Sequence, residues 1–129
     1  YIPSFLFTLK HSSRTMEIII DLTGLNDKSN VMQRFHEVLD FGKHANGDAV
    51  AVGNWDAFAD SLKWLHAGGI YGTGRKITFP CVLRIEGYQY FEQEDAQGFA
   101  MLKEILEKAS AHYNEIHQDL RILFTSNTH

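Results

Sequence analysis

The stretch Gly53-Asn54-Trp55-Asp56-Ala57-Phe58-Ala59-Asp60-Ser61-Leu62-Lys63-Trp64-Leu65 has the spacing of a short helix with two different faces. One face carries the apolar side chains expected in a core, namely Trp55, Phe58, Ala59, Leu62 and Leu65. The other face carries Asp56 and Asp60, one helical turn apart, with Trp64 one further turn along the same row. We therefore expect the two acids and Trp64 to share a surface that the core does not use.

The start of this predicted helix is marked by a capping residue. Asn54 provides a side-chain oxygen that accepts one of the free backbone N–H groups of the first turn. Asp56 then lies where the positive end of the helix dipole favours a carboxylate. A purely structural interpretation is that Asp56 serves the helix start and that Asp60 pairs with Lys63, three residues later.

The composition excludes several classes of protein. The chain has 129 residues, of which 44% are hydrophobic, and this is typical of one globular domain. Twelve basic and sixteen acidic residues give a formal net charge of −4, which disfavours nucleic acid as a direct partner and suits a basic protein. Cys81 is the single cysteine and, in an apolar run, is expected to be a buried thiol. No apolar run approaches the ~20 residues that span a bilayer, so we expect no membrane contact and a cytoplasmic location.

The residue pattern of the rest of the chain predicts strands that alternate with helices. Strands are predicted at residues 17–22, 80–85 and 120–125, and two further helices at 28–41 and 96–113. The β-branched run of the first strand suggests burial on both faces, whereas residues 87–95 have the composition of a polar, aromatic loop. Because long connections that carry helices join parallel neighbours, the predicted fold is α/β, a small parallel sheet of about three strands with packed helices.

Residues 1–15 are predicted to be separate from this domain. Met16 stands just before the first strand, and Phe5, Phe7 and Leu9 alternate with Leu6 and Thr8. We expect an N-terminal extension over residues 1–15, either non-native sequence or an added edge strand, followed by a single domain over residues 16–129.

The element order and the helix at residues 53–65 together resemble the barstar family of ribonuclease inhibitors, over residues 18–124. The most specific part is Gly53–Leu62, which is similar to the family pattern of glycine, asparagine, apolar, aspartate, alanine, apolar, any residue, aspartate, small residue, leucine. Gln89–Gln93 is similar to the family's loop after its middle strand. The resemblance implies a barstar-like fold.

The resemblance also implies a binding mode, because in that family the helix and the loop before it plug the active site of a ribonuclease. By position, Asp60 corresponds to the aspartate that takes the place of the substrate phosphate, and Asp56 to a flanking acid. Trp64 would add an aromatic anchor at the edge. The toxin-binding residues expected from this resemblance are Gly53, Asn54, Asp56, Asp60, Trp64 and Glu107.

Three departures from the family pattern concern the target. Ala51 and Val52 replace an aromatic pair before the glycine, and Ala59 replaces the aromatic before the second aspartate. The loop from Leu65 to Pro80 is longer than in the family's type member. Because these changes remove contacts specific to barnase, we expect a different basic ribonuclease toxin as the partner, with this chain as its bacterial immunity protein.

Other functions remain open. The seven histidines include no pair at i, i+4 and no His-Glu-x-x-His, so we expect no catalytic residues, no metal and no cofactor. A small-molecule or nucleotide-binding domain would use the carboxyl ends of the strands and the glycine-rich loop Gly68–Lys76, which matches neither known phosphate-binding fingerprint. A binder of a basic protein other than a nuclease would use the same acidic helix face.

Overall fold

The structure is a computed structural model, and it describes residues 15–50 and 52–125. Three strands form one parallel sheet in the order β1–β2–β3, with β1 at Met16–Asp21, β2 at Cys81–Glu86 and β3 at Leu120–Thr125. The described residues form four α-helices and a 3₁₀ turn at Leu65–Ala67; the helices are α1 (Lys28–Leu39), α2 (Trp55–Leu62), α3 (Gln89–Glu94) and α4 (Ala96–Glu115). The predicted α/β fold with a small parallel sheet is confirmed.

The hydrophobic core lies between the helices and one face of the sheet. The strands pair in register, from Met16 beside Cys81 beside Leu120 to the far end of each strand, so alternate side chains share a face. The fully buried side chains of this layer include Ile20, Leu83 and Ile85 from the strands and Phe35, Leu39, Phe58, Leu62, Leu102, Leu106 and Tyr113 from the helices. Each such side chain contributes about 1.5–3 kcal/mol on leaving water.

The prediction that β1 is buried on both faces is wrong. Ile18 and Ile20 are buried, but Ile19 between them is 49% exposed. Leu123, which shares the register position of Ile19, is also exposed, and the ion pair between Arg84 and Glu17 lies on the same face. The cause is topological. In the order β1–β2–β3 both crossovers progress in one direction, and crossovers of the usual right-handed sense then place their helices on the same side of the sheet.

Two helix boundaries also differ from prediction. α1 ends at Leu39 rather than Phe41, because Asp40 adopts a left-handed conformation (φ 57°) while its N–H still donates to the His36 carbonyl at 2.7 Å. Within the predicted loop at residues 87–95, the chain forms α3. Phe91 is fully buried there and its ring lies 6.4 Å from that of Phe99, so burial of one aromatic side chain stabilises a helical turn in a polar stretch.

The predicted N-terminal extension lies outside the described residues except for Thr15, as do Ala51 and residues 126–129. The division into an extension and a single domain therefore stays a prediction. Among the helices that the structure describes, none combines the length and the apolar character that crossing a membrane requires.

Candidate functional site

α2 has one buried and one exposed face. Phe58 and Leu62 are fully buried, and the Phe58 ring packs edge-on against Phe35 at 5.2 Å and Phe41 at 5.9 Å between centroids. Asp56 and Asp60 are exposed, as predicted. Because three aromatic rings interlock beneath it, the helix is a rigid support for the two carboxylates.

The helix start is capped as predicted. The Asn54 side-chain oxygen accepts the N–H groups of Asp56 at 2.8 Å and Ala57 at 3.3 Å. Gly53 precedes the cap at φ +87°, a conformation that side chains with a Cβ rarely adopt, and its N–H donates to the Met32 sulfur at 3.2 Å. Gly53 and Asn54 therefore fix the angle at which the chain enters α2.

The two carboxylates of α2 are not paired with any residue that the structure describes. Within the part of the chain that the structure describes, neither Asp56 nor Asp60 pairs with a cation or accepts a hydrogen bond through its side chain. In particular, the ion pair between Asp60 and Lys63 that a purely structural role requires does not form. Like charges one turn apart repel by a few tenths of a kcal/mol, up to about 0.5, so this arrangement costs α2 a little stability.

The two acids line a groove of about 490 Å³ between α2 and α4. Trp55 and Ala59, which were predicted to be buried, are half-buried because they form the α2 wall of this groove. The α4 wall consists of Met101, Glu104, Ile105 and Lys108. Their spacing of i, i+3, i+4 and i+7 is one helical stripe, so the stripe itself is the sequence signal that identifies them.

The α4 acid beside the acids of α2 is Glu104 rather than Glu107. Glu104 lines the groove, where the Lys108 ammonium donates to its carboxylate at 3.0 Å. Glu107 is exposed on α4 but outside the stripe that faces α2. The sequence does not determine which face of a long helix meets another helix, so Glu104 was not among the expected site residues. The role of Glu107 in toxin binding stays a prediction.

Trp64 is exposed but does not continue the acidic row. α2 ends at Leu62, and Lys63 is its C-terminal cap. Trp64 follows the cap, and its own backbone angles are not helical. Its indole is 48% exposed and stacks on the His66 ring, with 5.8 Å between centroids and 27° between planes. The structure thus places Trp64 at the carboxyl end of the acidic helix, as a neighbouring feature rather than part of one helical face.

The glycine-rich loop packs on the end of α1 through its backbone. A Cβ at Gly74 would lie 2.0 Å from the Asp40 carbonyl oxygen, and one at Gly69 would lie 2.0 Å from that of Phe41. The N–H groups of Gly68, Gly69, Gly72, Gly74 and Arg75 all donate to backbone carbonyls. These donors are therefore committed within the protein, and the loop does not offer them to a phosphate.

A second concave surface, of about 1060 Å³, lies where this loop meets the turn at residues 43–48. Its lining includes Lys43, His44, Tyr71 and Thr73, and the His44 and Tyr71 rings meet edge-on at 5.3 Å. The Thr73 hydroxyl oxygen accepts the Lys43 N–H at 3.1 Å and joins the two turns.

The carboxyl ends of β1 and β2, where a nucleotide-binding domain would hold its ligand, are closed by their own turns. A Cβ at Gly87 would lie 2.1 Å from the Thr23 hydroxyl oxygen. The Thr23 hydroxyl and N–H both donate to Asp21, at 2.6 and 3.0 Å, and these bonds hold the pKa of the Asp21 carboxyl below its ordinary value. The Thr23 donors at this edge are therefore directed to Asp21 of the same turn.

Metal-ligating and nucleophilic side chains are dispersed in the part of the chain that the structure describes. Among residues 15–50 and 52–125, no three His, Cys, Asp or Glu side chains come together as metal ligands. Burial raises the pKa of the Cys81 thiol to about 11, which is expected of an unreactive core cysteine. The His66 ring contacts the Tyr113 hydroxyl at 3.1 Å and does not pair with Asp60.

One comparison with known proteins gives a match that spans the described part of the chain. A family model described as Barstar (barnase inhibitor) matches residues 15–125, which include all the strands and helices described above. A comparison with curated proteins found no match.

Proposed function

We propose, because the chain belongs to the barstar family, that it binds a basic ribonuclease and blocks its active site. The family's model is described as that of an inhibitor, so the expected activity is binding rather than catalysis. The finer proposal concerns the contact itself: the acids of α2 enter the catalytic cleft and take the places of RNA phosphates.

The observation that carries this proposal is the pair of unpartnered carboxylates on a rigid helix. Asp56 and Asp60 are exposed and one turn apart, and within the described residues neither forms an ion pair, although Lys63 and Lys108 line the same groove. A ribonuclease cleft concentrates Arg, Lys and His side chains to stabilise a phosphate and its transition state. Carboxylates held on a preformed surface can accept charge-assisted hydrogen bonds from those cations without first breaking bonds of their own.

The residues around the acids have supporting roles in this proposal. Gly53 and Asn54 set the entry of the chain into α2, and Trp64 provides an exposed aromatic anchor at the opposite end of the helix. Glu104 adds negative charge on the α4 side of the groove, although Lys108 partly neutralises it. Glu107, which lies outside the groove, would attract the basic partner and speed association without contacting it in the final complex.

We further propose that the partner is a ribonuclease toxin other than barnase, with this chain as the immunity protein of a bacterium. Ala59 stands where the family has an aromatic residue, and here it forms part of the groove wall. A cleft that fits this groove therefore differs in shape from one that fits an aromatic side chain at the same position. An immunity role would place the protein in the cytoplasm of the cell that makes the toxin.

The test is to recover the partner from the source cell with immobilised wild-type protein at low and then moderate salt, and to assay the bound fraction for RNA cleavage. We expect a basic ribonuclease that is inhibited by the wild type and is not retained by Asp60→Ala. The matched control is Glu115→Ala, which removes an exposed acid at the end of α4. Equal retention by all three proteins, or a retained protein without ribonuclease activity, would contradict the proposal.

Nucleotide binding is the weaker alternative. It requires free N–H donors in the loop Gly68–Lys76, and five of them donate to carbonyl groups of the protein. A basic partner that is not a nuclease would use the same acidic face, and the RNA-cleavage assay on the bound fraction distinguishes it.

A further inference from the structure

A buried hydroxyl on α4 bonds to the segment that carries Trp64. Tyr113 is fully buried, and its ring packs against Phe79 with 4.7 Å between centroids. Its hydroxyl oxygen accepts the Leu65 N–H at 2.9 Å and lies 3.1 Å from Nδ1 of His66. Phenylalanine would fill the same space without a polar group to satisfy, so the hydroxyl calls for an explanation beyond packing.

The second contact of the Tyr113 hydroxyl gives its proton an acceptor. Because the hydroxyl oxygen already accepts the Leu65 N–H, its own buried proton needs an acceptor, and Nδ1 of His66 lies within reach. In this arrangement His66 is the Nε2–H tautomer, with Nδ1 as the acceptor. Burial raises the pKa of Tyr113 above its ordinary value, so the hydroxyl keeps its proton at neutral pH and remains a donor.

The His66 ring transmits this restraint to Trp64. One ring nitrogen bonds to Tyr113, and the ring stacks on the Trp64 indole at 5.8 Å. The backbone of Trp64 is also held, since its carbonyl accepts the N–H groups of Ala67 at 3.0 Å and Gly69 at 2.9 Å. An exposed tryptophan with this support is pre-oriented, and pre-orientation lowers the entropy cost of using it in a complex.

We propose that Tyr113 is a positioning residue: through the Leu65 N–H and the His66 ring it holds the Trp64 indole in the orientation in which it contacts the ribonuclease. This inference rests on the proposed function, because it takes Trp64 as an anchor of the same interface. Tyr113 itself touches no partner, since it is fully buried in α4.

The first part of the test needs no partner. The chain has two tryptophans, Trp55 and Trp64, so in a Trp55→Phe background only Trp64 remains. Time-resolved fluorescence anisotropy then measures the motion of its ring. We expect Tyr113→Phe to increase the amplitude of the fast indole motion and to change the fluorescence lifetime. The control Tyr88→Phe, which removes the hydroxyl of a tyrosine stacked on Phe99, should change neither. Identical anisotropy decays for Tyr113→Phe and its parent would overturn the proposal.

The second part measures affinity for the ribonuclease recovered with the wild-type protein. We expect Tyr113→Phe to weaken binding by roughly three- to tenfold, the order for fixing one side chain at an interface, and to have no further effect in a Trp64→Ala background. An equal loss in both backgrounds would mean that Tyr113 acts through general packing, and the proposal would be wrong.

Two further arms keep the outcomes separate. If Tyr113→Phe does not fold by circular dichroism, His66→Ala breaks the same link while leaving the α4 core side chain in place, and the same results are expected of it. If the wild type recovers no ribonuclease, the proposed function fails, while the fluorescence experiment still decides whether Tyr113 orients Trp64.

Discussion

The Phe58 ring meets the Phe35 ring edge-on, with 5.2 Å between centroids, and this contact joins the acid-bearing helix α2 to α1. Phe41 and Trp55 pack on the same Phe58 ring at 5.9 and 5.6 Å. The position of Asp56 and Asp60 in space therefore depends strongly on this buried side chain. Stability and binding can be separated experimentally, because the core contact and the carboxylates lie on opposite faces of α2.

Replacing Phe58 should lower the free energy of unfolding. Phe58→Ala leaves a cavity under three rings, and we expect a loss of about 3–5 kcal/mol in urea denaturation. Phe58→Leu, which keeps most of the volume, should cost clearly less. A loss below about 1 kcal/mol for Phe58→Ala would show that α2 is not anchored by this contact.

The cost of replacing a glycine should depend on the space around its Cα. A Cβ at Gly74 would lie 2.0 Å from the Asp40 carbonyl oxygen, so Gly74→Ala must displace backbone, and we expect it to cost more than about 2 kcal/mol of unfolding free energy. Gly47→Ala is the control: its φ is +92° but no atom lies within 4 Å of the new Cβ, so about 1 kcal/mol of conformational strain is expected. Equal costs at both positions would argue against the packed loop.

Stability should fall as the pH rises above about 9. The pKa of Cys81 is raised from 9.0 to about 11 by burial, so the unfolded chain loses this proton at lower pH than the folded protein does. The protonated Cys81 thiol contributes its full stabilisation below pH 9, and this stabilisation is lost as the pH rises through about 11. Burial also raises the pKa of Tyr113, so its hydroxyl adds to the loss of stability at alkaline pH. Urea denaturation between pH 8 and 11 measures the slope.

The control for this alkaline effect is Cys81→Ala, which should have a shallower slope over the same range. A thiol reagent at pH 8 provides a second check, since wild-type Cys81 should react at the rate of unfolding. Fast labelling of the folded protein would contradict the buried position of the thiol.

The two acids of α4 should differ in their effect on binding. Glu104 lines the groove beside Asp56 and Asp60, whereas Glu107 does not. We expect Glu104→Gln to weaken the ribonuclease complex by about 1 kcal/mol, chiefly through faster dissociation, and Glu107→Gln to change only the association rate at low salt. Stopped-flow kinetics at two salt concentrations measures both, and a larger dissociation effect for Glu107 than for Glu104 would contradict this expectation.

The features that could be predicted from the sequence are local ones. The Asn54 cap, the buried Phe58 and Leu62 and the exposed acids each depend on residues within two turns of one helix. The family resemblance drawn from residues 18–124 is confirmed by the match over residues 15–125, and the fold followed from strand and helix periodicity together with crossover handedness.

The remaining features depend on how distant segments meet. The exposure of Ile19 results from both crossovers lying on one side of the sheet, which no strand composition reveals. The choice of Glu104 over Glu107 depends on the rotation of α4 against α2. The close approach of Gly74 to the Asp40 carbonyl joins two segments that are far apart in the sequence. The glycine spacing of the loop does not reveal this contact, and by itself it suggested a phosphate site.

The most direct measurement of the central claim is the affinity of Asp60→Asn for the ribonuclease, by titration calorimetry beside the wild type and the control Glu115→Gln. The substitution keeps the shape of the side chain and removes only its charge. We expect binding to weaken by about 2–5 kcal/mol, at least thirtyfold, with the unfolding free energy unchanged or slightly raised because the repulsion from Asp56 is relieved. An affinity within about twofold of the wild type would contradict the claim that Asp60 occupies the place of the RNA phosphate.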